Sequence, residues 1–348
     1  MTVTSLPSVN ADDEWSPLKA VIVGRAGKAC FPYAPPAMIA ATMPAEHIGS
    51  FKPQNPFPPS IIAKAEEELD TLASILEHEG IKVYRPADNV DWLSKKGYTG
   101  AMPRDGLMSV SNTLIEACFA WPSRAHEIEV GFTEILDQLG VDPRVKIVRR
   151  PESSFANTLL DGQTENAKWA INNSRPAFDA ADFMRFGSTI IGQYSHVTNQ
   201  AGVDHIRQNL PTGYQLEMLD VKDDSAMHID ATLLPLREGL MVYHPYKVTE
   251  ESLRRHSVLA GWDLRPYPYV PEARSSPPLY MTSPWLCLNA LVLDGQKVVV
   301  EASDDKTAKW FSSLGMTCLP CPFQHVNSIG GSFHCATVDL VRLGKGPH

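Results

Sequence analysis

The chain has 348 residues, 43% of them hydrophobic and 20% charged, with a formal net charge of −9. This composition is typical of a globular enzyme with enough apolar residues for a large core. The negative charge, without any basic cluster, argues against a nucleic-acid partner. No apolar run approaches the roughly 18 residues that span a bilayer, so no membrane segment is predicted.

The N-terminal region points to a cytoplasmic protein. It carries Asp12, Asp13 and Glu14, with no Lys or Arg before Lys19, which fits neither a secretory signal nor a transit peptide. The six cysteines are scattered through a large chain, a pattern typical of reduced thiols in a cytosol.

Five times along the chain, a stretch of helical periodicity leads through a glycine into a short apolar strand. The glycines, each placed where a helix end favours a left-handed residue, are Gly80, Gly140, Gly213, Gly261 and Gly315. Hairpin patterns over 233–243 and 290–300 add antiparallel pairing. We therefore predict an α/β protein built as a closed array of five ββαβ units. The alternative, a doubly wound parallel sheet, is disfavoured by the hairpins.

Residues 1–348 are expected to form a single domain with two irregular surface loops. One lies near 31–59, where prolines are frequent, and the other near 151–176, where Ser, Asn and Gln are frequent. Aromatic residues such as Phe51 and Phe155 recur in both loops, which argues against disordered linkers.

A cysteine, a histidine and several aspartates form the candidate chemistry. Cys335 follows a glycine pair in an apolar, strand-like run, and Asp179 and His228 lie in apolar segments upstream. Neighbouring carboxylates raise the pKa of a thiol, whereas a bound guanidinium, planar and permanently charged, reverses this effect. We therefore expect Cys335 to attack a guanidinium carbon held by two or three carboxylates, with Asp105, Asp179 and Asp230 as candidates. His228 would protonate the departing amine.

Several blocks of the sequence resemble the arginine amidinotransferases, which include glycine amidinotransferase and the inosamine-phosphate amidinotransferases. The blocks are residues 102–105, 178–183, 197–199, 227–232 and 330–335, in a similarity that covers nearly the whole chain. The resemblance implies a five-bladed αβ propeller of the guanidino-modifying, pentein-like superfamily and a role in secondary-metabolite or toxin biosynthesis. It also implies a ping-pong reaction without metal or organic cofactor. L-Arginine gives its amidino group to the cysteine, ornithine leaves, and a small acceptor amine takes the group.

Residue roles follow from the resemblance by motif. It implies that Cys335 is the nucleophile, that His228 is the general acid/base, and that Asp179 orients His228. It further implies that Asp105 and Asp230 hold the guanidino group. Related enzymes indicate a homodimer.

Four further residues bear on substrate recognition by the same resemblance. Ser283 falls where the family contacts the amino-acid end of the substrate, and Met227 belongs to a segment similar to the loop over the substrate. Lys247 stands where glycine amidinotransferase has an arginine that grips a carboxylate, and Ser225 replaces an asparagine. These differences favour lysine as acceptor, with glycine next and an aminocyclitol as the remaining candidate.

The roles of four more residues stay open on the sequence alone. Asp182 is either a second catalytic carboxylate or a structural hydrogen-bonding residue, and His334 is interpreted as structural because strand alternation turns it away from Cys335. Cys318 and Cys321 are expected to pack in a strand, with a surface disulfide as the alternative. The rival functions are an arginine deiminase-type hydrolase that forms citrulline and a non-catalytic arginine-binding protein.

Overall fold

The strands form five separate three-stranded sheets. The structure, a computed structural model, describes residues 6–34, 36–43, 45–156, 159 and 168–344. The strands are β1 Leu18–Val23, β2 Lys82–Tyr84, β3 Leu107–Val110, β4 Thr113–Glu116, β5 Lys146–Val148, β6 Phe183–Phe186, β7 Thr189–Gly192, β8 Gln215–Met218, β9 Leu233–Arg237, β10 Leu240–Tyr243, β11 Asp263–Pro266, β12 Leu291–Val292, β13 Lys297–Glu301, β14 Thr317–Cys321 and β15 Thr337–Arg342.

Helices of varied length connect these strands. The α-helices are α1 Pro36–Thr42, α2 Ala45–Ile48, α3 Pro59–His78, α4 Pro103–Gly106, α5 Glu127–Gly131, α6 Thr133–Gly140, α7 Gln200–Asn209, α8 Glu250–Arg254, α9 Asp305–Ser313 and α10 Gln324–Ile329. Short 3₁₀ helices occupy Pro122–Arg124, Glu152–Phe155, Ala180–Asp182, Ile229–Ala231, Ser257–Leu259 and Pro284–Leu288. No helix in the described ranges has both the length and the apolar character needed to cross a membrane.

All five sheets repeat one ββαβ connection. Two strands pair antiparallel, and a third strand pairs parallel with the second after a helical crossover. Four units are continuous in sequence, from β3 to β5, β6 to β8, β9 to β11 and β12 to β14. The remaining unit joins the two ends of the described chain, since β15 pairs antiparallel with β1 and β2 pairs parallel with β1. The predicted five units are therefore present, and an open doubly wound sheet is excluded.

Four of the five predicted helix-ending glycines adopt left-handed backbone. Gly80, Gly213, Gly261 and Gly315 have φ values of 75°, 89°, 78° and 85°. Gly140 differs, because the chain continues from α6 into a right-handed Val141 with φ −65°. A Cβ on Gly140 would lie 3.3 Å from the Ile147 side chain, so this glycine permits close packing against β5.

The predicted surface loops contain some regular structure. The segment near 31–59 carries α1 and α2, and the segment near 151–176 carries a 3₁₀ helix at Glu152–Phe155. Residues 157–158 and 160–167 of that second loop lie outside the described residues. All six cysteines are free thiols, and Cys318 and Cys321 lie in β14.

A buried ion network ties the unit that closes the chain to its neighbours. Asp339, on β15, accepts hydrogen bonds from Arg104 at 2.9 Å, from Arg185 at 2.6 Å and from Arg342 at 2.8 Å. Arg185 also contacts Glu14 at 2.7 Å. Such pairs are costly to break singly, since each removal leaves a buried charge without its partner.

Each unit presents a polar side chain in the short segment before its first strand. Asp105 precedes β3, Asp179 precedes β6, Asp230 precedes β9, Asn289 precedes β12 and Cys335 precedes β15. The repeated architecture thus brings side chains from five distant parts of the sequence to one place.

Candidate active site

Cys335 lies in a turn, and its environment is fully enclosed. The turn immediately precedes β15, so the strand-like interpretation of this run is wrong at Cys335 itself. The side chain is 4% exposed, and its Sγ lies 3.5 Å from Asp230 Oδ2 and 3.2 Å from Asn289 Nδ2. Gly331 makes this arrangement possible, because a Cβ there would lie 2.6 Å from the Cβ of Cys335.

The electrostatic surroundings keep the thiol protonated in the unliganded site. Burial raises the pKa of Cys335 to about 12, and the nearby Asp230 carboxylate adds to the increase. Interaction with His228 works in the opposite direction. A cation bound among these groups would favour the thiolate, as the sequence predicts.

Asp182 fixes an unusual backbone conformation at His228. The histidine has φ 65°, a left-handed conformation that is costly for a residue with a side chain. Its backbone N–H donates to Asp182 Oδ1 at 2.8 Å. Asp182 is fully buried and also accepts hydrogen bonds from Gln193, Ser195 and Thr198. Of the two roles considered for Asp182, this geometry supports the structural one.

The ring of His228 lies between two carboxylates. Its Nε2 is 3.0 Å from Asp179 Oδ2, and its Nδ1 is 3.6 Å from Asp105 Oδ1. Burial disfavours the imidazolium, but Asp105 and the hydrogen bond to Asp179 outweigh it and raise the pKa of His228 well above its usual value. The ring is therefore protonated at neutral pH and can donate a proton.

Arg124 is a component of the site that the sequence motifs did not indicate. It is 5% exposed and binds Glu127 through two hydrogen bonds of 2.9 and 2.8 Å. Its Nη1 donates to Asp105 Oδ2 at 2.7 Å and lies 3.6 Å from Asp179 Oδ2. Its guanidinium carbon lies 4.4 Å from the centre of the Phe119 ring. An arginine inside the apolar stretch 117–125, with Glu127 three residues beyond it, was the signal available in the sequence.

His334 is also closer to the site than the sequence indicated. Strand alternation does not apply to it, because it occupies the same turn as Cys335. Its Nδ1 lies 2.8 Å from Asp230 Oδ2, and its Nε2 lies 3.3 Å from Glu14 Oε2. His334 therefore holds the carboxylate that faces Cys335, and through Glu14 it connects this carboxylate to the buried ion network.

Several carboxylate oxygens in the site accept no hydrogen bond from the described residues. They are Oδ1 of Asp105, Oδ1 of Asp179 and Oδ1 of Asp230, all of them buried. A small cavity of about 50 Å³ lies beside Asp105 and Asp179. It is lined by these two residues, Arg124, Met227 and His228 among others, but not by Asp230. Buried acceptors without donors are costly, so these oxygens are suited to a ligand that carries several N–H groups.

The remaining predicted substrate contacts lie outside the lining of this cavity. Lys247 pairs with Asp223 at 2.8 Å, and the backbone N–H of Ser225 donates to the same aspartate at 3.0 Å. Ser283 caps the 3₁₀ helix Pro284–Leu288, accepting from the backbone N–H of Trp285 at 3.4 Å. Met227, in contrast, contributes to the cavity wall.

Three of the site residues have the geometry of a metal-ligand set. One ligand atom each from Asp105, His228 and Cys335 lies within 4.8 Å of the other two. The sequence predicts no metal cofactor. The same three atoms are those that the predicted cysteine chemistry requires.

Comparisons with known proteins show which family the chain belongs to. No protein-family model matches the chain. The chain is 38% identical to the L-arginine:L-lysine amidinotransferase of Pseudomonas savastanoi pv. phaseolicola, over 95% of this chain and 94% of the relative. It is 35% identical to the mitochondrial glycine amidinotransferase of Danio rerio, over 97% of this chain and 83% of the relative. The solved structure of SxtG, an amidinotransferase of the saxitoxin biosynthetic pathway from Microseira wollei, matches with a TM-score of 0.84 and 31% identity, covering 97% of this chain and 98% of that one.

The similarity to these relatives identifies the chain as an enzyme of the transferase class. The chain belongs to the amidinotransferase family, as similarity at this level over nearly its whole length establishes. The resemblance carried by the sequence blocks is thereby confirmed, and so is the predicted α/β fold, which is that of a solved amidinotransferase.

Proposed function

We propose that this protein is an L-arginine:amine amidinotransferase that works by a ping-pong mechanism through Cys335. The observation that carries the proposal is the set of unpartnered oxygens on Asp105, Asp179 and Asp230, next to Cys335 and a protonatable His228. The guanidinium of arginine presents five N–H donors in one plane, which matches several converging carboxylate oxygens.

The first half-reaction follows from the protonation states in the site. The substrate cation replaces solvent near Cys335 and lowers the pKa of the thiol. Sγ forms a bond to the amidino carbon while the bond from that carbon to the side-chain nitrogen of ornithine breaks. His228 donates its proton to the departing nitrogen and recovers one from the thiol. The products are a cationic S-amidino-cysteine and free ornithine, so the thiol proton ends on the amine.

The second half-reaction reverses these steps with a different amine. The nitrogen of the acceptor attacks the amidino carbon, the C–S bond breaks, and its electron pair returns to Sγ. His228 gives its proton to the sulfur and removes the proton that the acceptor nitrogen gives up, so the thiol is restored and the ring ends protonated. The amidinated acceptor is a guanidinium compound, which the same carboxylates hold until release.

Lysine is the acceptor we favour, with glycine next and an aminocyclitol third. The L-arginine:L-lysine amidinotransferase similar to this chain supports lysine. Ser225 and Lys247, both held by Asp223, are proposed to border the path of the acceptor, and Ser283 to contact the amino-acid end of arginine. The likeness to an enzyme of saxitoxin biosynthesis supports a role in secondary-metabolite or toxin biosynthesis. A cytoplasmic homodimer of single-domain subunits remains our expectation, and light scattering of the purified protein tests its dimeric state.

The test is mass-spectrometric product analysis. The enzyme is incubated with L-arginine and, separately, lysine, glycine, an aminocyclitol phosphate or no acceptor. We expect ornithine together with one amidinated amine, and no turnover by Cys335→Ala. Citrulline in every reaction, independent of acceptor, would instead identify an arginine deiminase-type hydrolase.

A further inference from the structure

Asn289 lies in the segment before the first strand of the unit from β12 to β14. The other units present Asp105, Asp179, Asp230 and Cys335 from the same place. It lies between the 3₁₀ helix Pro284–Leu288 and β12, and it is fully buried. No sequence motif assigned it a role. Its side chain nevertheless contacts the sulfur of Cys335 directly.

The hydrogen bonds of Asn289 determine which end of its amide faces the sulfur. Two backbone N–H groups, those of Cys335 and Ser332, donate to one side-chain atom at 3.0 and 3.2 Å. Only the carbonyl oxygen of an asparagine side chain accepts hydrogen bonds, so this atom is Oδ1. Nδ2 must then face the other way, where it lies 3.2 Å from Cys335 Sγ and 3.4 Å from the backbone oxygen of Asp230.

A second close polar neighbour of the sulfur, Asp230, has the opposite effect. Asp230 Oδ2, 3.5 Å away, accepts a hydrogen bond from the thiol but repels a thiolate. Asn289 Nδ2 is a neutral donor, and a donor hydrogen-bonded to the charged form of a group favours that form. Unlike His228, which exchanges protons during each half-reaction, the amide keeps its N–H throughout the cycle.

We propose that Asn289 is a catalytic residue whose side-chain N–H stabilises the thiolate of Cys335, both as the attacking group and as the leaving group. This inference rests on the proposed function, because the ping-pong reaction makes the thiolate first the attacking group and then the leaving group. In the first half-reaction the hydrogen bond lowers the cost of removing the thiol proton. In the second, the same hydrogen bond stabilises the electron pair that returns to sulfur as the C–S bond breaks. The carbonyl of Asn289 meanwhile holds the turn that carries Cys335.

Asn289→Asp separates these two functions of the side chain. Aspartate retains an oxygen for the N–H groups of Cys335 and Ser332, but it replaces the donor that faces sulfur with an acceptor. The matched control is Asn327→Asp. Asn327 is 4% exposed and its Nδ2 donates to the Gly331 backbone oxygen at 2.9 Å, so this variant places a carboxyl group against the same loop without touching the sulfur.

The primary measurement is the alkylation rate of Cys335 by iodoacetamide as a function of pH, without substrate. Labelled peptides are quantified by mass spectrometry so that the other five cysteines do not interfere. For Asn289→Asp we expect the alkylation rate at each pH between about 8 and 10 to fall about tenfold or more, because the thiolate fraction falls tenfold for each unit by which the pKa rises, and kcat to fall about 100-fold or more. Both half-reactions, ornithine release and acceptor amidination, should slow. Asn327→Asp should keep the wild-type alkylation rates.

The outcomes separate this inference from the proposed function. A folded Asn289→Asp protein with a wild-type alkylation profile overturns the inference, as does an equal shift in Asn327→Asp. Thermal unfolding verifies folding, and Asn289→Ser, which removes the amide donor without adding a carboxyl group, is measured in the same way if Asn289→Asp does not fold. Absence of ornithine from the wild-type enzyme would refute the proposed function, while the alkylation profiles would still decide whether Asn289 stabilises the thiolate.

Discussion

Arg124 donates a hydrogen bond from Nη1 to Asp105 Oδ2 at 2.7 Å, so a carboxylate that faces the cavity already binds a guanidinium of the protein itself. The same nitrogen lies 3.6 Å from Asp179 Oδ2. Arg124 thereby occupies one oxygen of Asp105 and approaches one of Asp179, and the Oδ1 atom of each accepts no hydrogen bond from the described residues. The internal guanidinium directs the free oxygens toward the proposed substrate.

Arg124→Met should therefore weaken arginine binding. Removing the buried cation leaves Asp105, Asp179 and Glu127 without their shared counter-charge, which costs about 3–5 kcal/mol when a buried pair is broken. We expect KM for arginine to rise about 100-fold. The acidic limb of the pH profile of kcat/KM should move to higher pH, because the pKa of Asp105, already raised by burial, loses the opposing effect of Arg124. Steady-state kinetics between about pH 5 and pH 9, at about half-unit steps, measures both effects.

Arg150→Met is the matched control for this prediction. The side chain of Arg150 is also only 6% exposed. It contacts two carboxylates, Glu116 and Glu129, and lies over an aromatic ring, that of Phe155. It does not line the cavity. This variant should lose thermal stability while KM and the pH profile stay at their wild-type values. Equal kinetic effects in the two variants would mean that Arg124 acts only through stability.

His228→Asn should slow the release of ornithine in a single turnover. The raised pKa of His228 keeps the ring protonated through neutral pH, and the leaving nitrogen needs that proton. Loss of a general acid slows such a step about 10²–10⁴-fold. For the wild-type enzyme, activity should hold through neutral pH and decline on the alkaline side, as His228 loses its proton.

Rapid-quench sampling with radiolabelled arginine measures the burst of ornithine that the first turnover releases. His256→Asn is a suitable control, since His256 is a buried histidine that contacts a carboxylate, Glu217, at 2.6 Å outside the site. A normal ornithine burst from His228→Asn would remove His228 from the role of proton donor.

Gly331→Ala should disable the enzyme with a modest loss of stability. The added methyl group would lie 2.6 Å from Cys335 Cβ and 2.7 Å from Met102 Sδ, so the turn must shift and the thiol must move. Overpacking of this kind costs about 1–3 kcal/mol, whereas a displaced nucleophile loses about 100-fold or more in rate. Melting temperature and kcat, compared with those of Gly27→Ala, check the prediction. Gly27 has open space around its Cβ position, so Gly27→Ala should stay active. A Gly331→Ala enzyme that is as active as Gly27→Ala would contradict the predicted displacement of the thiol.

Acid should destabilise the fold through Glu14 and Asp339. Burial opposes the ionisation of both carboxyls, but a nearby arginine outweighs it in each case: Arg185 beside Glu14, and Arg104 beside Asp339. The pKa of each carboxyl is therefore lowered in the folded state. In the unfolded chain such groups titrate near pH 4, at about 4.3 for Glu and 3.9 for Asp. The stabilisation that these ionised carboxyls provide is thus complete above that pH. It is lost as the pH falls further, toward the lowered pKa values that the two groups have in the folded state.

Thermal unfolding between about pH 7 and pH 3 measures this dependence. We expect the wild-type melting temperature to fall steeply on the acidic side. At neutral pH, Arg185→Met should have a free energy of unfolding about 3–5 kcal/mol lower than the wild type, and thus a lower melting temperature. Its melting temperature should also depend less steeply on pH in the acidic range. An unchanged slope in this variant would show that Arg185 does not control the titration of these carboxyls.

The site residues that lie in contiguous motifs could be predicted from the sequence. The residues that reach the site only through long-range packing could not. His228 and Asp230 share one short segment, and the five ββαβ units follow from local periodicity and turn chemistry. Arg124 and Asn289 act through partners 19 and 46 residues away, which only the folded topology brings within reach. The expected direction of the His334 side chain was wrong for a local reason, because alternation was applied to a turn.

The pairing of β15 with β1 places Cys335 in a unit that no continuous stretch of the chain can build by itself. Its sulfur contacts Asn289 and Asp230, which belong to two other units. In a fragment that lacked those units, the thiol would have neither its amide donor nor this carboxylate. Chemical competence is thus a property of the assembled units and of none of them alone.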